Sequence, residues 1–148
     1  MAINPNTDFS SGAVLTAAQQ NRFPRGVMAF TKQTSNVVFA AETTIITASA
    51  FTAVANRYYR IIFFQPAMSN TGAGYSVMRI KQGATTLNSC NSQQYNAGTG
   101  YVGICQGIFT FSAGSVTITA TLQSTAAGTS SASATQFGFL SIEDIGPA

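Results

Sequence analysis

The chain has 148 residues, two cysteines, no histidine and a formal charge of +3. A chain of this size buries roughly two-thirds of its unfolded surface around one core, so a single domain can form without a metal or a cross-link. Only 7% of its residues are charged, and the cations are scattered with no basic run interleaved with aromatics, which argues against nucleic acid as a partner.

Residues 1–26 read as an arm. Asn4-Pro5-Asn6 and Ser10-Ser11-Gly12 break regular structure, and Thr16 can cap one short helix over 17–21 before Pro24 stops it. The arm has too few apolar residues for a core of its own, so Ile3, Phe9, Val14, Leu15 and Phe23, with Arg25, are its candidate docking contacts. The opening residues lack a basic segment followed by a long apolar one, and no apolar run approaches 18 residues. Synthesis in the cytosol and no membrane partner are therefore expected.

From Val27 to the end, β-branched and aromatic runs alternate with Gly, Asn, Pro and Ser clusters, which predicts one all-β domain over 27–148. The runs fall at 27–33, 37–41, 43–48, 58–65, 75–82, 85–88, 101–111, 115–123 and 135–143, with some expected to merge. Residues 69–74, 88–100 and 124–134 read as loops. In 115–122, Val116, Ile118, Ala120 and Leu122 share one face and the threonines the other, the pattern of a half-wet strand. Two other runs, 57–64 and 137–145, carry bulky apolar groups on both faces. Both of their faces should be covered, and Phe63, Phe139 and Ile142 are the candidate subunit contacts. Many short strands with no helical pattern between them predict an antiparallel β-sandwich, jelly-roll-like in its likeliest version.

Chemistry is sparse. Without histidine, the commonest general base, most catalytic triads and nearly all zinc patterns are missing. Among the four acids, adjacent Glu143 and Asp144 point to opposite faces of a strand and cannot flank one bond; Glu42 with either of them is the remaining pairing. The paired glycines at 72/74 and 98/100 lack the strand-to-helix junction of a phosphate cradle and read as turn residues. No catalytic, metal-binding or cofactor-binding residue is predicted. Exposed tyrosines beside amides suit sugar rings, and Tyr95 and Tyr101 with Asn91 and Gln93 form the candidate glycan contact. Cys90 and Cys105 could pair if their strands are neighbours, although a protein matured in a reducing compartment more often keeps free thiols.

Three segments carry a resemblance: LTAAQQNRFPRGVMAF at 15–30, IKQGATTLN at 80–88 and FLSIEDIGPA at 139–148. Together they resemble a loose family of tailed-bacteriophage virion modules, found as minor-tail or fibre domains and as head-associated proteins, which open on "LTAA…PRG" and close on "EDIGP". In longer relatives the module ends a larger chain; here it follows about 26 residues. The resemblance implies a β-sandwich in a virion accessory protein, a homotrimer whose partners are itself and capsid or tail proteins. The leading expectation is therefore a non-enzymatic capsid-decoration or fibre component docked by its arm. The alternative is an adhesin module that binds host-surface glycans through loops such as 90–100 and 124–134.

Overall fold

The computed structural model describes residues 12, 14, 16–21 and 23–148. One helical turn, α1 (Ala17–Gln20), precedes twelve strands: β1 (Gly26–Gln33), β2 (Val37–Phe39), β3 (Thr43–Thr47), β4 (Phe51–Ala53), β5 (Arg57–Asn70), β6 (Gly74–Gln82), β7 (Thr85–Gln94), β8 (Tyr101–Phe109), β9 (Gly114–Val116), β10 (Thr119–Ser124), β11 (Gly128–Ser130) and β12 (Gly138–Pro147). The helix is the one expected: Gln20 N–H and Asn21 N–H donate to the carbonyls of Thr16 and Ala17, each at 3.0 Å, and Pro24 follows.

The strands form two main antiparallel sheets and a separate two-stranded ladder, β4-β9. The first runs β1-β12-β5-β8, with β11 and β2 continuing from the far half of β5; the second runs β3-β10-β6-β7. Taking the eight principal strands β1, β3, β5, β6, β7, β8, β10 and β12 in chain order as one to eight, the sheets read 1-8-3-6 and 2-7-4-5. Each consecutive pair either forms a tight hairpin or crosses from one sheet to the other, and the whole is the double Greek key of a jelly roll. The β6–β7 hairpin turns on Gly83, whose φ of 57° lies in the left-handed region that glycine tolerates at little cost.

The core fills the space between the sheets. Tyr59, Ile61, Phe63 and Met68 of β5, with Leu140 and Ile142 of β12, meet Met78 and Ile80 of β6 and Ala120 and Leu122 of β10, all buried. The expected alternation at 116–122 holds on its inner side, where Val116, Ile118, Ala120 and Leu122 are buried; Thr121 on the other side is buried too and donates to Glu42 Oε1 at 2.9 Å.

Two of the expected subunit contacts need correction. Phe63 and Ile142 have no exposed surface in the single chain, because the odd positions of β5 and the even positions of β12 point into its own core. Of the three, only Phe139 stands on the outer side. The loop expected at 124–134 contains β11, and that expected at 88–100 is strand as far as Gln94.

β5 is the organising strand. It stays extended for 14 residues because a bulge between Gln65 and Met68 absorbs Pro66, which has no N–H to give to a ladder. Before the bulge its neighbour is β12; beyond it, β11 takes the same side. Here the interior turns polar: Ser130 Oγ donates to Gln65 Oε1 at 2.6 Å, and Gln65 Nε2 donates to Gln33 Oε1 at 2.8 Å. All three side chains are buried and satisfy one another, as burial of amides requires.

Candidate functional site

The described part of the arm is held at its root by one buried ion pair. Arg57 begins β5 and Asp144 lies near the end of β12, in the inward position of its pleat. Arg57 Nε and Nη2 donate to Asp144 Oδ2 and Oδ1 at 2.5 and 2.7 Å, the two-pronged geometry that guanidinium and carboxylate favour. The remaining donors reach the arm: Nη1 to the Asn21 carbonyl at 2.5 Å and Nη2 to the Phe23 carbonyl at 2.6 Å. Gly146 N–H completes the carboxylate at 3.0 Å. Gly26, with φ of 79°, turns the chain out of the arm into β1, where it registers against Asp144. The two terminal motifs singled out in the sequence are thus one structural unit, joined through an arginine that neither contains.

Of the candidate arm contacts, Val14, Phe23 and Arg25 are exposed, while Ile3, Phe9 and Leu15 lie outside the described residues. The arm root sits on the domain; Val14 does not pack on it.

The outer face of the first sheet is apolar. Phe30 of β1, Phe139 of β12 and Phe64 of β5 form a cross-strand ladder with centroids 5.4 and 5.2 Å apart and planes inclined by 29° in each pair. The register continues it: Phe64 faces Ile104 of β8, and Arg60 faces Ile108. Phe64, Pro66, Val102, Thr135, Gln136, Phe137 and Phe139 line an open depression of about 450 Å³. Charge on this face is sparse: Arg60 pairs with Glu143, and the Lys32 ammonium lies 4.0 Å from the centre of the Phe137 ring. The sequence reading found the apolar duplication of β5 and β12 but missed the contribution of β8, whose Val102, Ile104 and Ile108 alternate with small or polar residues and read as an ordinary half-wet strand.

The candidate glycan contact is divided. Asn91 and Gln93 are exposed on β7 and Tyr95 follows them in the turn, but the Tyr101 phenol donates inward to Ser76 Oγ at 2.6 Å and is not a platform beside Tyr95. Tyr75 takes its place: it is exposed and stands opposite Gln93 on β6. A signal for this was available in the sequence, because Tyr75 opens a strand whose next hairpin partner is the amide-rich run.

Three acids are described, and each is paired with a different basic residue. Glu143 meets Arg60, Asp144 meets Arg57, and Glu42 accepts from Lys81 Nζ at 2.8 Å. The hydrogen bond from Lys81, and then that from Thr121, holds the Glu42 carboxyl below its ordinary value of 4.5. Among the described residues, no three His, Cys, Asp or Glu side chains gather as metal ligands would, and no helix is long and apolar enough to cross a membrane. Neither a protein-family model nor a curated protein matches the chain.

Proposed function

We propose that this chain is a non-enzymatic accessory protein of a tailed-phage virion, a head-decoration or fibre component that associates with further copies of itself through the outer face of the first sheet. In this reading it closes as a homotrimer and docks on capsid or tail proteins through residues 1–26. The observation that carries the reading is the size and apolar character of that face. Val27, Phe30, Val102, Ile104 and Ile108 are 61%, 48%, 58%, 54% and 58% exposed. Side chains of this size leave on the order of 500 Å² of apolar surface on one wall, which is at the upper end for the largest patch of a monomer. A stable interface takes about 800 Å² from each partner, so this wall supplies most of one. At about 25 cal/mol per Å² it is worth roughly 12 kcal/mol gross, comparable with the ~4–15 kcal/mol lost in bringing two bodies together. A partner for a wall with so few charges must itself be weakly charged, and a second copy of a chain with 7% charged residues satisfies that condition. The jelly roll is common among viral coat proteins, an analogy of fold that agrees with the resemblance of the terminal motifs.

Light scattering on the whole chain tests the self-association. The expected result is a trimer mass that falls to a monomer in Ile104→Glu with the β-sheet circular dichroism unchanged. A wild-type monomer at high concentration, or a trimer indifferent to Ile104→Glu, overturns it. Peptide mass spectrometry of purified particles tests the virion assignment, which absence of the chain from particles would refute.

One observation favours a second role on the same protein. Tyr75 and Tyr95 stand exposed beside Asn91 and Gln93, a combination of ring faces and amides that suits a glycan at the host surface. Binding on a glycan array that is lost in Tyr75→Ala supports that role, and an array with no signal at high protein concentration removes it.

A further inference from the structure

The two cysteines lie on different sheets yet meet in the interior. Cys90 registers with Met78 in the second sheet, and Cys105 with Phe63 in the first. Their strands, β7 and β8, are consecutive and sit at the edges of their respective sheets on the same side of the sandwich, with Cα atoms approaching within 8 Å. Asn88 Nδ2 donates to the Gln106 carbonyl at 2.7 Å and holds the two edges together immediately beside the cysteines. Cys105 is a fully buried member of the core, Cys90 is half-buried and packs against that core, and both are free thiols. The two thiols are close enough for Cys90 to perturb the Cys105 thiol. Gly103, two residues before Cys105 on the same inward face, lets β8 come this close: a Cβ there would run into Met68 Cε and Met78 Sδ.

We propose that Cys90 and Cys105 are an oxidative modification site, at which a low-molecular-weight disulfide such as oxidised glutathione converts the pair into an intrachain disulfide stapling one sheet to the other. The half-buried Cys90 reacts first. Its thiolate attacks one sulfur of the small disulfide; that bond breaks, a protein–glutathione mixed disulfide forms, and one glutathione leaves and takes up a proton. Cys105 then loses its proton, attacks Cys90 Sγ and expels the second glutathione. The protein gives up two electrons and two protons, and the small disulfide becomes two thiols. Burial, and then the neighbouring Cys90, pushes the Cys105 thiol up to about 12. The closing step is therefore slow near neutrality and accelerates about tenfold per pH unit, in proportion to thiolate. Closing residues 90–105 removes freedom from the unfolded chain, and the expected rise in Tm is roughly 5–10 °C. This inference is independent of the virion reading and of the oligomeric state.

The test treats the full reduced chain with oxidised glutathione at mildly alkaline pH, quenches with acid, alkylates in denaturant and weighs the intact protein. Chymotrypsin, which cuts between the cysteines at Tyr95 and Tyr101, then locates any cross-link. The expected product is lighter than the starting chain by two hydrogens, takes up no alkyl group, and yields a chymotryptic peptide pair joined through Cys90 and Cys105. In Cys105→Ser the mixed disulfide on Cys90 should persist. Two alkylated thiols, a lasting glutathione adduct on the wild type, or a disulfide-linked dimer would each overturn the proposal.

Discussion

Replacing Arg57 by methionine is the most informative single change, because that guanidinium both balances a buried carboxylate and anchors the arm. Arg57 and Asp144 are 4% and 1% exposed, so the substitution leaves Asp144 inside the protein with the Gly146 N–H as its remaining partner among the bonds described above. Stranding one member of a buried pair costs about 3–5 kcal/mol. For a domain of this length each kcal/mol lowers Tm by roughly 3 °C, so the expected loss is about 10–15 °C. Urea unfolding followed by circular dichroism measures it. Arg57→Met combined with Asp144→Leu removes the stranded charge and should regain most of the loss, since an apolar pair of similar volume is often neutral. The arm responds differently. Both variants lack the donors to the Asn21 and Phe23 carbonyls, so trypsin should cut at Arg25 faster in the double variant than in the wild type, even though global stability has returned. A loss below about 1 kcal/mol in Arg57→Met, or a double variant as unstable as the single, would refute the account of the pair. Restored protection of Arg25 in the double variant would refute its role as anchor.

Three further outcomes are expected. Gly128→Ala should cost about 1–3 kcal/mol in urea unfolding, because a Cβ there would lie 2.6 Å from Asn70 Oδ1 and 2.7 Å from Phe39 Cζ, both buried; a neutral result would show that β11 shifts freely. Gln65→Leu should cost about 1 kcal/mol by removing two buried hydrogen bonds, while Ser130 Oγ keeps its 3.0 Å bond to Gln33 Oε1, and a stabilised variant would mean that this polar cluster is dispensable. Glu42 supplies a small acid dependence. Its folded value lies below 4.5, so its contribution is complete above that pH and disappears as pH falls through the lower folded value. Solvent screening keeps the contribution under about 1 kcal/mol. Glu42→Gln should remove that part of the acid slope, and an unchanged slope would contradict it.

The regular part of the fold was legible because side chains with strand preference marked it. Val27 to Gln33 and Tyr75 to Gln82 begin within a residue of their expected positions, and the inner face expected at 116–122 is buried, although Thr121 on the other face is buried as well. What escaped depends on tertiary partners. β11 lies in a Ser/Ala/Thr-rich stretch with no preference of its own and is recruited by the far half of β5, where Gly128 fits against Phe39. The run read as 58–65 continues past Pro66, because a bulge carries the strand onward. The apolar duplication of β5 and β12 is real, with one face in the core and the other on the outer wall, but assignment of particular residues needed the parity of the pleat: Phe63 and Ile142 turn inward, Phe64 and Phe139 outward. The arm anchor was invisible for a simpler reason. Its arginine stands 31 residues after Gly26 and 87 before Asp144, and nothing local marks it.

The anchor also gives the molecule a polarity. The arm root and the carboxyl terminus meet at one end, where Ala148 N–H donates to the Asn56 carbonyl at 2.8 Å. At the opposite end the turns after β5, β7 and β10 are pinned together, Thr71 N–H to the Ala127 carbonyl at 2.8 Å and Gly98 N–H to the Asn70 carbonyl at 2.9 Å. A foreign peptide inserted between Ala97 and Gly98 would therefore emerge at the pole opposite the arm root and Ala148, where backbone hydrogen bonds tie the neighbouring turns together. For vaccine display this arrangement separates the place where cargo is grafted from the place where the carrier is held.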